Sequence, residues 1–163
     1  MTENIPEKYI PPSISKKDYY KQRRNIFKSR KLYKKGVFFS RPKIKTFKSR
    51  KTKHLRRVQE MYGVETLKPT PFLSRKTKCS LSALKKIVNK GEGAYYSSGS
   101  RPSQSAESWG LARLGSAITG DKASVVDYHI LREGCQKDSK ALRLATRRCR
   151  LDKKKRCTLK QKS

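Results

Sequence analysis

Residues 80–102 of the chain read SLSALKKIVNKGEGAYYSSGSRP, and this stretch decides the predicted fold. Ser80 stands where a helix N-cap is expected, and the apolar residues after it recur every three or four positions, as on one face of an α-helix. Gly91 is expected to end that helix. The following GAYYSS is predicted to form a short aromatic strand, which turns at Gly99 before the next helix begins.

The glycines and serines of this stretch match no motif that binds phosphate or presents a nucleophile. A Walker A loop, a GxGxxG spacing and a G-x-S-x-G elbow are all missing. Residues 91–97 resemble a strand of ADP-ribosyltransferases, but the preceding His-Gly segment and a catalytic glutamate are lacking. The sequence therefore predicts no catalytic residue, no cofactor and no bound metal here. It predicts a structural turn built by Gly91, Gly93, Tyr95, Tyr96, Gly99, Arg101 and Trp109.

Capping residues and apolar spacing around this segment predict further short elements. Helices are expected over residues 52–62, from Pro71, across AESWGLARLGSAITG and across SKALRLATRRCR, with a second strand in KASVVDYHIL. The predicted helix ends are Gly63 as a C-cap, Thr70 as the N-cap before Pro71, Gly120 as a C-cap and Asp138 as an N-cap. The predicted fold class is α+β, a small and mostly helical domain with two or three short strands over residues 51–150. An extended basic N-terminal arm (1–50) and a basic C-terminal tail (151–163) flank it.

The charge of the chain limits its partners. Lys and Arg number 43 against 12 Asp and Glu, a net charge of +31, while apolar residues make up only 34%. Such a chain repels itself in isolation, so an acidic partner such as nucleic acid or an acidic protein is expected. The sequence has no run of 18 apolar residues, so no transmembrane segment is predicted, and no secretion signal is recognised. Reduced thiols are therefore expected for the four cysteines.

The N-terminal arm mixes cations with single aromatic residues. This pattern suits a chain that lies in grooves of a partner, with aromatic anchors buried between acidic contacts. A helix over residues 16–31, capped by Ser15, is an alternative for part of it, and a disordered tail is another. The predicted partner-binding residues are Tyr19, Tyr20, Arg23, Arg24, Phe27, Tyr33, Phe38, Phe39, Arg41 and Phe47.

Residues 70–89 match a helix–turn–helix pattern. Ser74, Leu84 and Ile87 occupy its buried positions, whereas Lys78 stands where the turn usually has glycine. The second helix would present Ser82, Lys85, Lys86 and Asn89 to nucleic acid, although a simple helical hairpin gives the same pattern. The candidate nucleic-acid contacts are Lys76, Lys85, Lys86, Arg147, Arg148, Lys153 and Lys154.

Cysteine and histidine positions give weaker hypotheses. Cys135, Cys149 and Cys157 with His129 match no familiar zinc spacing, so the cysteines are expected to be small buried apolar residues. Asp127 and His129 would share a face of the second predicted strand. A structural hydrogen bond is the more common role of such a pair than acid–base chemistry.

The segment KGEGAYYSSGSRPSQSAESWGLARLGSAITGDKASVVDYHIL, with GC at 134–135, SKALRLA after it and TFKSRKTKHLRRVQEMYGV before it, carries a family resemblance. It is similar to small basic proteins of uncharacterised function from nucleocytoplasmic large DNA viruses, particularly those that infect algae and other protists. The resemblance spans roughly residues 10–148 and implies a virion setting. Lys78 departs from the glycine expected before Cys79.

Two functions follow as expectations. The first is a virion structural protein, a minor capsid or cement component whose basic arm binds neighbouring capsid subunits. The second is a nucleic-acid-binding or DNA-condensing virion protein that uses residues 70–89 and the basic termini. An enzyme with a small-molecule substrate is not expected. The predicted partners are capsid or other acidic virion proteins, with viral DNA as the alternative.

Overall fold

The computed structural model describes residues 4–49, 52–154 and 156–157. Over these residues the chain is helical, with a 3-10 helix at Glu7–Tyr9 and eight α-helices. These are α1 (Lys16–Lys34), α2 (Lys53–Tyr62), α3 (Pro71–Thr77), α4 (Leu81–Ser97), α5 (Ala106–Ile118), α6 (Lys122–Val126), α7 (Tyr128–Gly134) and α8 (Lys140–Leu151).

The predicted α+β class is wrong. Among the described residues the β-structure is an isolated antiparallel bridge between Cys79 and Cys135. The predicted strand GAYYSS lies inside α4, which continues through Gly91 and Gly93. Each glycine disfavours a helix by about 1 kcal/mol relative to alanine. Tyr95 nevertheless extends the buried face of the helix and is completely buried, and this burial outweighs the local preference.

The second predicted strand is also helical. KASVVDYHIL forms α6 and α7, and α6 begins where Asp121 caps it by accepting from the backbone N–H of Lys122 at 2.8 Å. Val125, Tyr128 and Leu131 are buried at intervals of three residues. The β-branched and aromatic composition suggested a strand, but this spacing also fits helical turns.

Several predicted helix ends are confirmed. Ser15 caps α1 by accepting from the N–H of Asp18 at 3.2 Å, and Thr70 caps α3 with Pro71 at its first position. Gly63 ends α2 in the left-handed conformation with φ +66°. Gly120 follows α5 with φ +74°. At α8 the N-cap is Ser139 and not the predicted Asp138.

The chain divides into two units. The first contains the described residues of 4–49 together with 91–109, and the second contains 52–90 and the described residues from 110 onward. The predicted extended arm is therefore wrong as a description of residues 4–49. Part of that segment is α1, and its isoleucines form a core of their own. Aromatic residues of the segment also contact Tyr96 and Trp109. The predicted tail lies largely outside the described residues.

The first unit has a small core. Ile10, Ile14, Ile26 and Ile44 form it, and half-buried aromatic rings cover its edges. Polar contacts add to this packing: Gln22 of α1 is buried and donates to the carbonyl of Tyr9 at 3.2 Å. These contacts hold α1 and the irregular segment 37–49 together.

Arg41 connects α1, the end of α4 and the segment after α4 within the first unit. Its side chain is only 7% exposed, and its guanidinium lies 3.8 Å from the centre of the Tyr95 ring. It donates to Ser29 Oγ at 3.0 Å, to the Tyr95 carbonyl at 2.7 Å and to Ser100 Oγ at 2.9 Å. Burial lowers the pKa of Arg41 below its ordinary value. An aromatic face and neutral acceptors stabilise this cation where no carboxylate among the described residues pairs with it.

The second unit has the larger core, formed by α2 to α8. An ion pair joins α5 to the residue between α6 and α7. Arg113 of α5 donates to both oxygens of Asp127 at 2.7 and 2.8 Å, and the Asp127 side chain is fully buried. Tyr62 of α2 donates to the carbonyl of Ile118, and burial raises the pKa of Tyr62. The largest fully buried side chains of this core are Leu73, Leu84, Ile87, Leu114, Ile118 and Leu131.

None of the helices in the described part of the chain is both long and apolar enough to span a lipid bilayer.

Replacing Arg41 should destabilise the first unit. Arg41→Ala leaves three buried acceptors without their donor and opens a void beside Tyr95, so we expect the free energy of unfolding to fall by about 2–4 kcal/mol. Lys43→Ala, two residues away and exposed, is the matched control and should change it by less than about 0.5 kcal/mol. Urea unfolding followed by circular dichroism measures both. Equal effects of the two variants would contradict the role given to Arg41.

Two glycine substitutions should have opposite effects. A Cβ added at Gly134 would lie 2.3 Å from the Cβ of Ala83, so Gly134→Ala should destabilise the protein by about 1–3 kcal/mol. A Cβ at Gly93 meets only Tyr33 Oη at 3.6 Å, an ordinary contact. Gly93→Ala should therefore stabilise α4 by up to about 1 kcal/mol. If Gly93→Ala instead lowered the denaturation midpoint, the helical path of residues 91–97 would be in doubt.

Candidate nucleic-acid interface

Residues 70–89, which match a helix–turn–helix pattern in the sequence, form α3, a turn and the first part of α4, which continues to Ser97. α3 ends at Thr77, and residues 78–80 lead into α4. Lys78 takes the left-handed conformation with φ +55°, the backbone shape that glycine usually supplies at this place in the motif. The turn therefore forms without its glycine, and the neighbouring contacts must hold the lysine in this conformation.

The turn is fastened to the segment between α7 and α8. Ser80 donates its N–H to the carbonyl of Gly134, and Gln136 donates to the carbonyl of Lys78, both at 2.8 Å. These two bonds flank Cys79 and Cys135 as a non-hydrogen-bonded antiparallel pair, in which the backbones approach most closely. A disulfide joins these two cysteines. The covalent bond and both hydrogen bonds fix the same point of the turn.

Two side chains at the start of α8 reinforce this attachment. Ser139 is buried and donates to the carbonyl of Thr77 at 2.6 Å, next to the turn. Asp138 forms an ion pair with the Lys78 ammonium. The hydrogen bond from Lys78 holds the pKa of Asp138 below its ordinary value. The loop before α8 therefore contacts the turn residue that has the unusual conformation.

The α4 face predicted to meet nucleic acid is exposed. Ser82, Lys85, Lys86 and Asn89 are all exposed, whereas the intervening apolar residues of the same helix are buried. The face combines two ammonium groups with one hydroxyl and one amide, which can donate to and accept from base edges. The sequence spacing placed this face correctly because the apolar residues of α4 repeat at helical intervals.

α3 adds cations beside the turn. Lys76 is exposed, as predicted, and its ammonium lies 5.5 Å from the centre of the Phe72 ring. The Arg75 guanidinium lies 5.9 Å from the same ring. Phe72 is 46% exposed. Arg75 was missed in the sequence, although its position three residues after Phe72 on a helix was a usable signal.

The other predicted contacts lie on a different element. Arg147 and Arg148 are exposed on α8, and Lys153 and Lys154 are exposed just after it. The structure thus brings Lys76, Lys85 and Lys86 into one helix–turn–helix and places the remaining four at the C-terminal end of the second unit.

The residues predicted to form a partner-binding arm differ in their exposure to solvent. Tyr19, Tyr20, Arg23, Arg24 and Phe38 are exposed, and Arg41 is buried in the first unit. The half-buried ones are Phe27, Tyr33, Phe39 and Phe47.

The residues predicted to form one structural turn lie in α4, in α5 and in the segment between these helices. Gly99 does turn the chain, with φ +134° and the Tyr9 ring 3.1 Å from where its Cβ would stand. Trp109 lies in α5 and contacts the Tyr9 ring edge to face. Arg101 is exposed after α4, in contrast to the buried Tyr95. Gly91, Gly93, Tyr95 and Tyr96 lie within α4.

The expectation of reduced thiols is wrong. Besides the disulfide at the turn, Cys149 of α8 is bonded to Cys157. The three cysteines considered as zinc ligands are therefore all in disulfides, Cys135 with Cys79 and Cys149 with Cys157. The predicted alignment of Asp127 with His129 on a strand is also wrong, because Asp127 pairs with Arg113 whereas His129 lies exposed, 3.3 Å from the Lys90 ammonium.

The chain belongs to DUF5824, a family of unknown function whose sequence profile matches residues 6–143. The matched residues run from the 3-10 helix to the first turn of α8. No curated protein and no solved structure matches the chain significantly. Family membership assigns no chemistry, and the viral origin implied by the sequence resemblance stays a prediction.

Removing the disulfide at the turn should destabilise the second unit. Cys79 and Cys135 are 56 residues apart, and the loop entropy of such a crosslink corresponds to about 4 kcal/mol. Cys79→Ser with Cys135→Ser should lower the unfolding free energy by about 2–4 kcal/mol. The matched pair, Cys149→Ser with Cys157→Ser, opens a crosslink of only 8 residues and should cost less. Urea unfolding with and without reductant tests this. An unchanged wild-type midpoint in reductant would contradict it.

Proposed function

We propose that this protein binds double-stranded DNA and that α4 enters the major groove through its exposed face. The observation that supports this most directly is the combination of that face with the fastened turn. Ser82, Lys85, Lys86 and Asn89 point away from a packed core, on a helix whose start is fixed by a disulfide. A rigid helix with such a face suits recognition, because little conformational freedom is lost on binding.

The residue types on α4 suit the groove that an α-helix can enter. The B-DNA major groove admits a helix and presents acceptors and donors that differ between base pairs. An asparagine such as Asn89 can form two hydrogen bonds with adenine, and a lysine can donate to the acceptors of guanine. The cations of α3, Arg75 and Lys76, are suited to phosphates, which fix the register of the helix.

The overall charge supports an anionic polymer as the partner. A net charge of +31 on 163 residues leaves most lysines and arginines without a carboxylate in the chain. Contacts between such cations and phosphates release counterions, so DNA affinity should fall steeply as salt rises. The virion setting implied by the resemblance is compatible with this role, since viral DNA would be the anionic partner.

A virion structural role is the second candidate function. It no longer has the support of an extended arm, but one observation favours it. Val37 and Phe38, just after α1, are 47% and 67% exposed, and apolar side chains on a polar surface are typical of protein contact sites. Replacing Phe38 with Ser would weaken assembly with a capsid protein under this hypothesis and leave DNA affinity unchanged.

Charge removal on α4 tests the DNA-binding proposal. Lys85→Ala with Lys86→Ala should reduce the slope of log affinity against log salt by up to about 2, because each lost phosphate contact contributes about 0.9. The matched control, Lys53→Ala with Lys122→Ala, removes two exposed lysines from other helices of the same unit. Titration of a labelled DNA duplex by fluorescence anisotropy measures the slopes.

Asn89→Ala separates base recognition from charge. Selection from a pool of randomised duplexes should yield a preferred sequence with the wild-type protein, and the variant should lose discrimination at one position by about 1–3 kcal/mol. The proposal fails if the α4 and control lysine variants have the same slope and Asn89→Ala selects the wild-type sequence.

A further inference from the structure

α1 has a buried side and an opposite, strongly cationic side. Its buried residues recur every three or four positions from Asp18 to Ser29 and face the core of the first unit. Lys17, Arg24 and Lys31 stand on the opposite side at intervals of seven residues, and all three are exposed. These three form no hydrogen bond or ion pair with any described residue. We call this side the outer face of α1.

Carboxylates do not neutralise this helix. α1 contains nine lysines and arginines and one acidic residue, Asp18. Asp18 is turned inward, where it accepts from the backbone N–H of Thr46 at 3.0 Å and from the hydroxyl of the same residue. The Thr46 hydrogen bonds lower the pKa of Asp18 below its ordinary value, and they hold its carboxylate on the inner side of the helix. The positive charge of the outer face is left for a partner.

Two aromatic rings near this face, those of Phe27 and Phe39, lie against cations, whereas Tyr19 and Tyr20 are exposed and pack edge to face against each other. The Arg23 and Arg30 guanidinium groups lie 5.5 and 5.7 Å from the centre of the Phe27 ring. The Lys28 ammonium lies 4.5 Å from the centre of the Phe39 ring. Rings engaged in this way position cations and are not free platforms for stacked bases. The cations held beside Phe27 and Phe39 are suited to contacts with a phosphate backbone.

The length and charge of α1 match one strand of a duplex. A helix of 19 residues is about 28 Å long. One strand of B-DNA carries roughly eight phosphates over that length. Of the nine cations of the helix, Lys17, Arg24 and Lys31 define the outer face, and they stand about 10 Å apart along the axis, close to the spacing of every third phosphate of one strand.

We infer that the outer face of α1 is a second DNA-binding surface, which contacts the phosphate backbone of a duplex regardless of base sequence. It extends the proposed function, because it adds a sequence-independent site in the first unit to the helix–turn–helix of the second. It does not require α4 to read bases. The two surfaces should therefore have different experimental signatures.

The test removes three charges from the outer face in the full chain. The variant combines Lys17→Gln, Arg24→Gln and Lys31→Gln. Glutamine favours a helix about as well as lysine and arginine do, and the three changes break no hydrogen bond or ion pair with the described residues. The matched control is Lys43→Gln, Lys45→Gln and Lys48→Gln, which removes three exposed lysines from the same unit. Circular dichroism establishes that both variants fold. Duplex affinity is then measured from about 50 to 200 mM salt on a mixed-sequence DNA duplex.

The slope of log affinity against log salt should be smaller by about 2.7 for the α1 variant. Between about 50 and 200 mM salt, the factor by which the variant loses affinity should therefore be roughly 40 times smaller than the factor for the wild type. The control should retain most of the wild-type slope, and the sequence selected from randomised duplexes should stay the same for the α1 variant. Equal slopes for the α1 variant and the control would overturn the inference. Failure of Asn89→Ala to alter sequence selection bears only on α4, so the two proposals can fail separately.

Discussion

The shortage of carboxylates governs how this chain can fold and what it can bind. With 12 acidic residues for 43 cations, few ion pairs are available, and several of those in the second unit join residues that are distant in the sequence. Asp127 holds α5 against the α6–α7 junction through Arg113, and Asp138 contacts the turn before α4 through Lys78. Where a cation is buried without an acid, as Arg41 is, an aromatic ring and neutral oxygens replace the carboxylate. The remaining cations must face outward.

Outward-facing cations form a binding surface only when the fold holds them in a fixed arrangement. In the second unit, the fastened turn orders α4, so that two lysines share a face with a hydroxyl and an amide. In the first unit, the regular helix of α1 orders cations along a straight line, and aromatic rings hold some of them from the side. The same excess of charge thus supports one surface suited to bases and one suited to backbone phosphates.

Local signals in the sequence predicted the elements that depend on neighbouring residues. Ser15, Thr70 and Gly63 mark helix ends because a cap is satisfied within a few residues of itself. The exposed face of α4 was predictable for the same reason, since helical spacing defines it. Lys78 shows the limit of such rules: a lysine adopts the conformation of the usual glycine because the α7–α8 loop holds it.

Contacts between distant residues explain what the sequence did not reveal. Gly91 was predicted to end α4, yet Tyr95 meets Arg41, 54 residues earlier, and the helix continues. The aromatic residues of the N-terminal segment suggested anchors for a partner, but Phe27 and Phe39 hold cations of their own unit. Helical spacing could have indicated the cations beside Phe27, which stand four residues before it and three after it. No local pattern indicates that Lys28 meets Phe39, nor which cysteine pairs with Cys79.

The disulfide at the turn also has a mechanical consequence. Cys79 and Cys135 form a covalent shortcut, so tension applied along the chain passes through the sulfur atoms and not through residues 80–134. α4 lies entirely within the shielded segment. In a chain pulled between its two ends, the helices outside the bridge, which are α1, α2, α3 and α8, would bear the load, whereas the proposed recognition helix would bear none until the bond is reduced.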